Sequence, residues 1–144
     1  MCLNMNLINK IQWLTPNEHE LQLLFPTDDT KPDGAEGERW SELLSRMPER
    51  IVMTKGGDGA LWCGADGHIH HAPGQPVEVV DTTGAGDTFN GALAVALAEG
   101  RSFSEAIHWA VGAGALSVTK FGAQGGMPMR EELDEWLISR LASQ

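Results

Sequence analysis

The reading of this chain turns on twelve residues, Val80-Asp81-Thr82-Thr83-Gly84-Ala85-Gly86-Asp87-Thr88-Phe89-Asn90-Gly91. The segment before them, Val77 to Val80, reads as a strand that ends at Asp81. After the glycine-rich turn, Phe89, Ala92, Leu93, Ala96 and Leu97 recur at helical spacing, which predicts a helix to about Glu99 with Gly100 at its C′ position. The first N–H groups of such a helix have no internal acceptor and sit at the positive end of its dipole. Gly84 and Gly86 lack Cβ and let an anion approach, so Gly84, Ala85 and Gly86 read as an anion hole suited to charge on a transferred phosphoryl group. No GxxxxGK[ST] run occurs, and no Lys follows the glycines. Asp87 stands there instead, in the first helical turn, where the dipole favours its ionised form. A carboxylate so placed can orient a substrate hydroxyl and accept its proton as it attacks phosphorus. Gly-x-Gly-Asp taken alone reads as an acidic cap after an ordinary turn.

Working outward, Ile11 to Leu14 predicts a strand that turns at Thr15-Pro16, followed by a helix from Asn17 to about Phe25. Asp28 to Gly37 is polar and turn-rich, hence a loop. Trp40, Leu43, Leu44 and Met47 predict a helix that Pro48 stops. Arg50 to Thr54 reads as a buried strand and Gly56 to Gly59 as a tight turn. Ala60–Cys63 and His68–His71 then read as a hairpin. Ser102-x-x-Glu105 is a capping box that opens a helix to about Val118, and its small residues Gly112 to Ala115 require a close neighbour. Gly122 to Gly126 reads as a loop, and Pro128 opens a last helix through Leu133, Trp136, Leu137 and Leu141. Strands alternating with helices imply an α/β sheet with helices on both faces.

A chain of 144 residues, 42% hydrophobic, is about one domain and can bury a core. Its net charge of −10 and lack of any Lys/Arg run argue against nucleic acid or anionic membrane as partners. A phosphate ligand must then rely on backbone N–H groups, a metal or a few placed cations. Cys2 and Cys63 have no CxxC spacing and read as reduced thiols of a cytoplasmic protein, Cys63 in the core or a strand. No apolar stretch has membrane-spanning length, and residues 1–10 show no signal-peptide pattern. His68, His70 and His71 lack partners at ligand spacing and read as a solvent-facing strand rather than a metal site. Trp13, Trp40, Trp62, Trp109 and Trp136 fall at element spacing and read as core.

The twelve-residue string resembles, nearly residue for residue, the C-terminal signature of the ribokinase (PfkB-type) carbohydrate kinase family. Leu14-Thr15-Pro16-Asn17-Glu18-His19-Glu20 resembles the family's strand-to-helix element beside the phosphate–Mg²⁺ site. Thr54-Lys55-Gly56-Gly57-Asp58-Gly59 resembles its loop under the ATP phosphates, and Lys120 to Pro128 its late loop. The resemblance covers about residues 11–140 and leaves 1–10 unassigned. It implies a ribokinase-like, doubly wound, mostly parallel α/β sheet with flanking helices. It also implies ATP-dependent phosphorylation of a sugar hydroxyl, with the Phe121-Gly122-Ala123-Gln124 loop pointing to D-ribose and ribose 5-phosphate.

On the matching positions, the resemblance makes Asp87 the base that touches the sugar hydroxyl and Gly84, Ala85 and Gly86 the anion hole. Nucleotide falls to Asn17, to Thr54, Lys55, Gly56, Gly57, Asp58 and Gly59, to Gly86, and to Val111 as an apolar wall. Lys55 belongs to that loop without an assigned phosphate contact. Glu20 acts on Mg²⁺ through water. Asp81, Thr83, Ser117, Lys120, Gly122 and Gly126 form a monovalent-cation (K⁺) site, mainly through backbone oxygens, with Gly126 standing where the family often has Ser. Asn17 with Glu20 also reads as a helix-capping pair.

Family members run to about twice this length. Their N-terminal half supplies the first βαβ units, most sugar contacts and a lid, and nothing in this chain resembles those parts. The expectation is therefore a truncated product, gene fragment or split subunit that acts with an N-terminal half or as a homo-oligomer. Two other readings stand beside the kinase: a nucleotide-binding remnant without catalysis, and a structural fragment that pairs through a sheet edge. Fructose, ketodeoxygluconate and nucleosides are the alternative substrates.

Overall fold

The computed structural model describes residues 10–25, 40, 43–45 and 51–142. Most of the leader, the 28–37 loop and Met47 lie outside the described residues. The chain divides into two compact units, residues 1–56 with 60–71, and residues 57–59 with 72–144.

In the first unit, Asn17 caps helix α1 (Glu18–Leu24) with both halves of a capping box. This follows from sequence alone, because the Asn17 and Glu20 side chains each satisfy an N–H that the helix start leaves open. Leu21 of α1 is fully buried against Trp40, Leu43, Leu44, Ile51 and Met53, with Leu14, Phe25, Leu61 and Ile69 partly buried around them. The sheet has the order β1 (Val52–Thr54), β2 (Gly59–Cys63), β3 (Ile69–Pro73). β1 pairs antiparallel with β2, Val52 opposite Trp62 and Thr54 opposite Ala60. The parallel partner of β1 is the 14–17 segment, through bridges Leu14–Ile51 and Asn17–Thr54. The Val52 N–H donates to the Leu14 carbonyl and the Thr54 N–H to the Pro16 carbonyl, both at 2.9 Å. The strand expected over 11–14 is thus reduced to these bridges. The turn at Gly56–Asp58 is a short 3-10 helix.

In the second unit, α2 (Ala85–Ala98) packs on α3 (Phe103–Ser117), which also contacts the single-turn α4 (Ala123–Gly126) and α5 (Arg130–Leu141). The predicted stripe of α2 supplies buried Phe89, Leu93 and Ala96. Ser102 and Glu105 form the predicted capping box at the start of α3. The small residues of α3 do what their size requires: a Cβ at Gly112 would lie 2.7 Å from Leu137 Cδ2 of α5. The Gly126 N–H donates to the Gly122 carbonyl at 2.8 Å, which makes one helical turn where a loop is expected.

Two further expectations fail. Val77 to Val80 forms no strand: nothing pairs with it among the described residues, the Val80 N–H goes to the Val118 carbonyl at 2.7 Å, and Val79 and Val80 are exposed. Trp13 is 40% exposed and is not core, whereas Trp40, Trp62 and Trp109 are buried. No helix among the described residues is long and apolar enough to cross a membrane.

Candidate active site

The second unit builds the glycine loop. Gly84 caps α2 with φ +79°, a left-handed conformation that glycine adopts without strain. A Cβ at Gly84 would lie 2.9 Å from Ala123 Cβ, so the loop also depends on glycine for its packing on α4. Around Gly86 the space is open, since a Cβ there would meet nothing within 4 Å. The Ala85 N–H turns back to the Thr82 carbonyl at 3.2 Å, and the Thr88 N–H begins the helix ladder to Gly84. The N–H groups of Gly86 and Asp87 have no backbone acceptor among the described residues, as the first turn of a helix dictates. Asp87 is exposed in that same turn. The loop therefore offers an open approach, outward amides and a carboxylate on one helix start. Thr88, next to Asp87, was missed by the sequence reading. Its side-chain hydroxyl is buried with no hydrogen-bond partner among the described residues.

The six residues expected at a cation site come together in the same unit. Asp81 Oδ1 accepts the Thr83 N–H and Oδ2 the Gly122 N–H, each at 2.9 Å. The Thr83 hydroxyl and N–H, then the Gly122 N–H, hold the Asp81 carboxyl below the usual carboxylate range. The Ser117 carbonyl accepts the Lys120 N–H at 3.5 Å and would lie 2.5 Å from a Cβ at Gly126. Gly126 thus fits as glycine, and a serine there would have to shift. A carboxylate with several backbone carbonyls is a hard-oxygen donor set, the chemistry that suits an alkali cation. Lys120 Nζ is bound to Glu132 and turned to α5. Val111, expected as an adenine wall, is only 8% exposed within α3.

The first unit holds the other group. Asn17 Oδ1 accepts the Glu20 N–H and Glu20 Oε2 the Asn17 N–H, each at 2.9 Å. The capping role is therefore present, and the Asn17 amide nitrogen and Glu20 Oε1 are the atoms left over. Thr54 lies beside Asn17 through their parallel bridge. Lys55 Nζ sits 3.5 Å from Glu18 Oε1, a neighbour the sequence reading did not single out. A shallow groove of about 330 Å³ runs along Leu14, Thr15, Pro16, Glu20, Leu23 and Leu24. Its lining is apolar apart from Thr15 and Glu20, a poor match for phosphates. Gly56 belongs to this unit, while Gly57, Asp58 and Gly59 belong to the second, where the Asp58 carbonyl accepts the Gly74 N–H at 3.1 Å. On the hairpin, His70 stacks on Trp62 and meets Asp66 at 3.0 Å. No group of three or more metal-ligating side chains occurs among the described residues.

Comparison with known proteins identifies the family and the fold. Residues 3–130 match the family described as pfkB family carbohydrate kinase. The chain is 45% identical over 130 residues to the ribokinase of Bacillus subtilis, covering 90% of this chain and 41% of that protein. It is similar to the crystal structure of ribokinase from Thermotoga maritima, with a TM-score of 0.76, 37% identity, and 94% of this chain and 45% of that one covered. It is similar also to Arabidopsis thaliana ribokinase complexed with ribose and ATP, with a TM-score of 0.79, 30% identity, and 95% and 44% covered. The chain spans about two fifths of the length of the curated relatives it matches. Its fold is ribokinase-like, and the chain belongs to the pfkB family of carbohydrate kinases.

Proposed function

We propose that this chain carries the anion hole and catalytic base of an ATP-dependent sugar kinase whose substrate is D-ribose. The observation that carries the reading is the α2 start: outward amides of Gly86 and Asp87, open space at Gly86, and an exposed Asp87 carboxylate in the same turn. In the reaction, Asp87 accepts the proton of the sugar's 5-hydroxyl as that oxygen bonds to the γ-phosphorus of ATP. The bond from phosphorus to the ADP oxygen breaks, and the amides face the charge on the transferred group. Ribose is favoured because the relatives reported above are ribokinases and one of them is complexed with ribose and ATP.

Asn17 and Thr54 to Gly59 are the proposed nucleotide contacts, with Glu20 acting on Mg²⁺ through water. Support for Mg²⁺ comes from charge: Glu18 and Glu20 flank the Asn17 cap, and Glu18 already neutralises Lys55. A triphosphate at such an acidic corner needs a divalent counter-ion. K⁺ is proposed for the cluster around Asp81, whose oxygens suit it. The remainder of a family-length kinase would come from a separate chain or a larger parent.

A second reading is nucleotide binding without turnover. Ribose-dependent ADP release by the chain, alone and with a supplied N-terminal half, tests the first reading. ATP binding without release under both conditions would favour the second. Fructose, ketodeoxygluconate and a nucleoside serve as competing acceptors.

A further inference from the structure

The glycine loop is held by more than its internal bonds, the Ala85 N–H to the Thr82 carbonyl and the Thr83 N–H to Asp81. It is fastened from outside, at two points, by a turn far along the chain. Asp81, just ahead of the loop, spends one carboxylate oxygen on the Thr83 N–H within the loop. The other oxygen goes to the Gly122 N–H, 41 residues away. Three residues on from Asp81, the Gly84 α-carbon is packed so closely on Ala123 that no Cβ fits. Gly122 has φ +84°, so its N–H is presented to Asp81 by a backbone geometry that favours glycine. The 122–126 turn is closed in its own right by Gly126 to Gly122 and abuts the Ser117 carbonyl at the end of α3. Helix α3 thus carries the turn, and the turn carries the loop.

We infer that Asp81 is a positioning residue: its carboxylate staples the Gly84–Gly86 loop to the 122–126 turn and sets the anion hole, by hydrogen bonds that need no bound cation. This rests on the kinase reading for what the loop is used for, but not for the staple itself. The chemistry is that of an acceptor-only group with two oxygens satisfying two backbone donors. An asparagine retains one such acceptor and an alanine none.

Amide-resolved hydrogen exchange by NMR on the full 144-residue chain tests the inference, in K⁺ buffer and in buffer with tetramethylammonium in its place. In Asp81→Ala, exchange of the Thr83 and Gly122 amides should quicken about tenfold or more in both buffers, as loss of a hydrogen bond predicts. Asp81→Asn should be intermediate, and α3 amides from Ala106 to Ala113 should exchange as in the parent. Three results would overturn the inference: unchanged Gly122 exchange in Asp81→Ala, parent protection present only with K⁺, or a uniform rise through α3. In the phosphorylation assay, Asp81→Ala should lower kcat about tenfold with KM for ATP within about twofold, and Asp81→Asn should recover part of it. An unchanged kcat beside quickened exchange would make the staple structural only and also overturn the positioning role. Failure of the kinase reading is distinct, since it shows as no ribose-dependent ADP release by the parent.

Discussion

The indole N–H of Trp109 donates to Asp134 Oδ1 at 2.9 Å, joining α3 to α5 across 25 residues. Arg101 and Arg130 lie over the same ring, 5.2 and 5.1 Å from its centroid. Arg130 Nε donates to Asp134 Oδ2 at 2.9 Å, and its two terminal nitrogens grip the Glu99 carboxylate at the end of α2. The chain Trp109–Asp134–Arg130–Glu99 thus ties three helices together. Asp134→Ala leaves the indole N–H of a buried Trp109 without its acceptor, and should cost about 1–2 kcal/mol of stability. Asp134→Asn, which keeps an acceptor, should cost less. Urea unfolding of both variants checks the order.

The same network sets a pH dependence. The Trp109 indole, then Arg130, hold the Asp134 carboxyl below its usual range, and Arg130 does the same for Glu99. Asp81 and Glu105 are lowered too, the latter chiefly by Ser102. A carboxyl depressed in the folded state adds stability that is complete above its unfolded value and lost as pH falls through the folded one. Stability should therefore be steady from pH 7 down to about 4.5, then fall as pH drops past the ordinary carboxylate values of about 3.9–4.3. A thermal unfolding series from pH 7 to 3 reads this directly. Asp134→Asn should flatten the acid limb.

Gly84 and Gly86 should separate by kind of effect. Gly84→Ala forces a side chain into the left-handed region and against Ala123, and should destabilise by about 1–2 kcal/mol. Gly86→Ala has room and ordinary helix geometry, so stability should hold or rise by up to about 1 kcal/mol. Its methyl nonetheless occupies the approach to the outward amides, so phosphoryl transfer should drop. Calorimetric stability beside steady-state kinetics distinguishes the two.

Asp87→Asn keeps the shape of the side chain but cannot take the hydroxyl proton. In a complete kinase, kcat should fall on the order of 10²–10⁴ with ATP affinity little changed. A kcat within a few-fold of the parent would reduce Asp87 to a cap.

Asn17 invites a separation of capping from binding. Serine caps a helix about as well as asparagine but lacks the amide group. Asn17→Ser should retain stability and lose Mg²⁺-dependent nucleotide affinity. Asn17→Ala should lose that affinity together with about 1 kcal/mol of stability. Calorimetric titration of ATP with and without Mg²⁺, next to unfolding curves, tells whether Asn17 reaches the phosphates at all.

Some of this was legible in the residue order because it is settled within a few positions. The capping boxes at Asn17/Glu20 and Ser102/Glu105 need only residues three apart, and both formed as read. The start of α2, with Gly84 as its cap and Asp87 in the first turn, follows from the glycine turn and the apolar period after it. The hairpin β2–β3 and the buried stripe of α2 are equally local.

Other features depended on what lies alongside a segment. Val77 to Val80 has strand composition, yet a strand exists only where another supplies the facing N–H and C=O groups, and none does here among the described residues. The family resemblance implied a cation-ligand role for Asp81; only the folded chain brought the Gly122 N–H, 41 residues on, to its second oxygen. Lys55 falls in a phosphate loop by the family resemblance, and the packing of α1 beside β1 gave it Glu18 as a partner. Periodicity and capping fix hydrogen bonds between near neighbours, whereas partners tens of residues away are chosen by how the helices and strands pack.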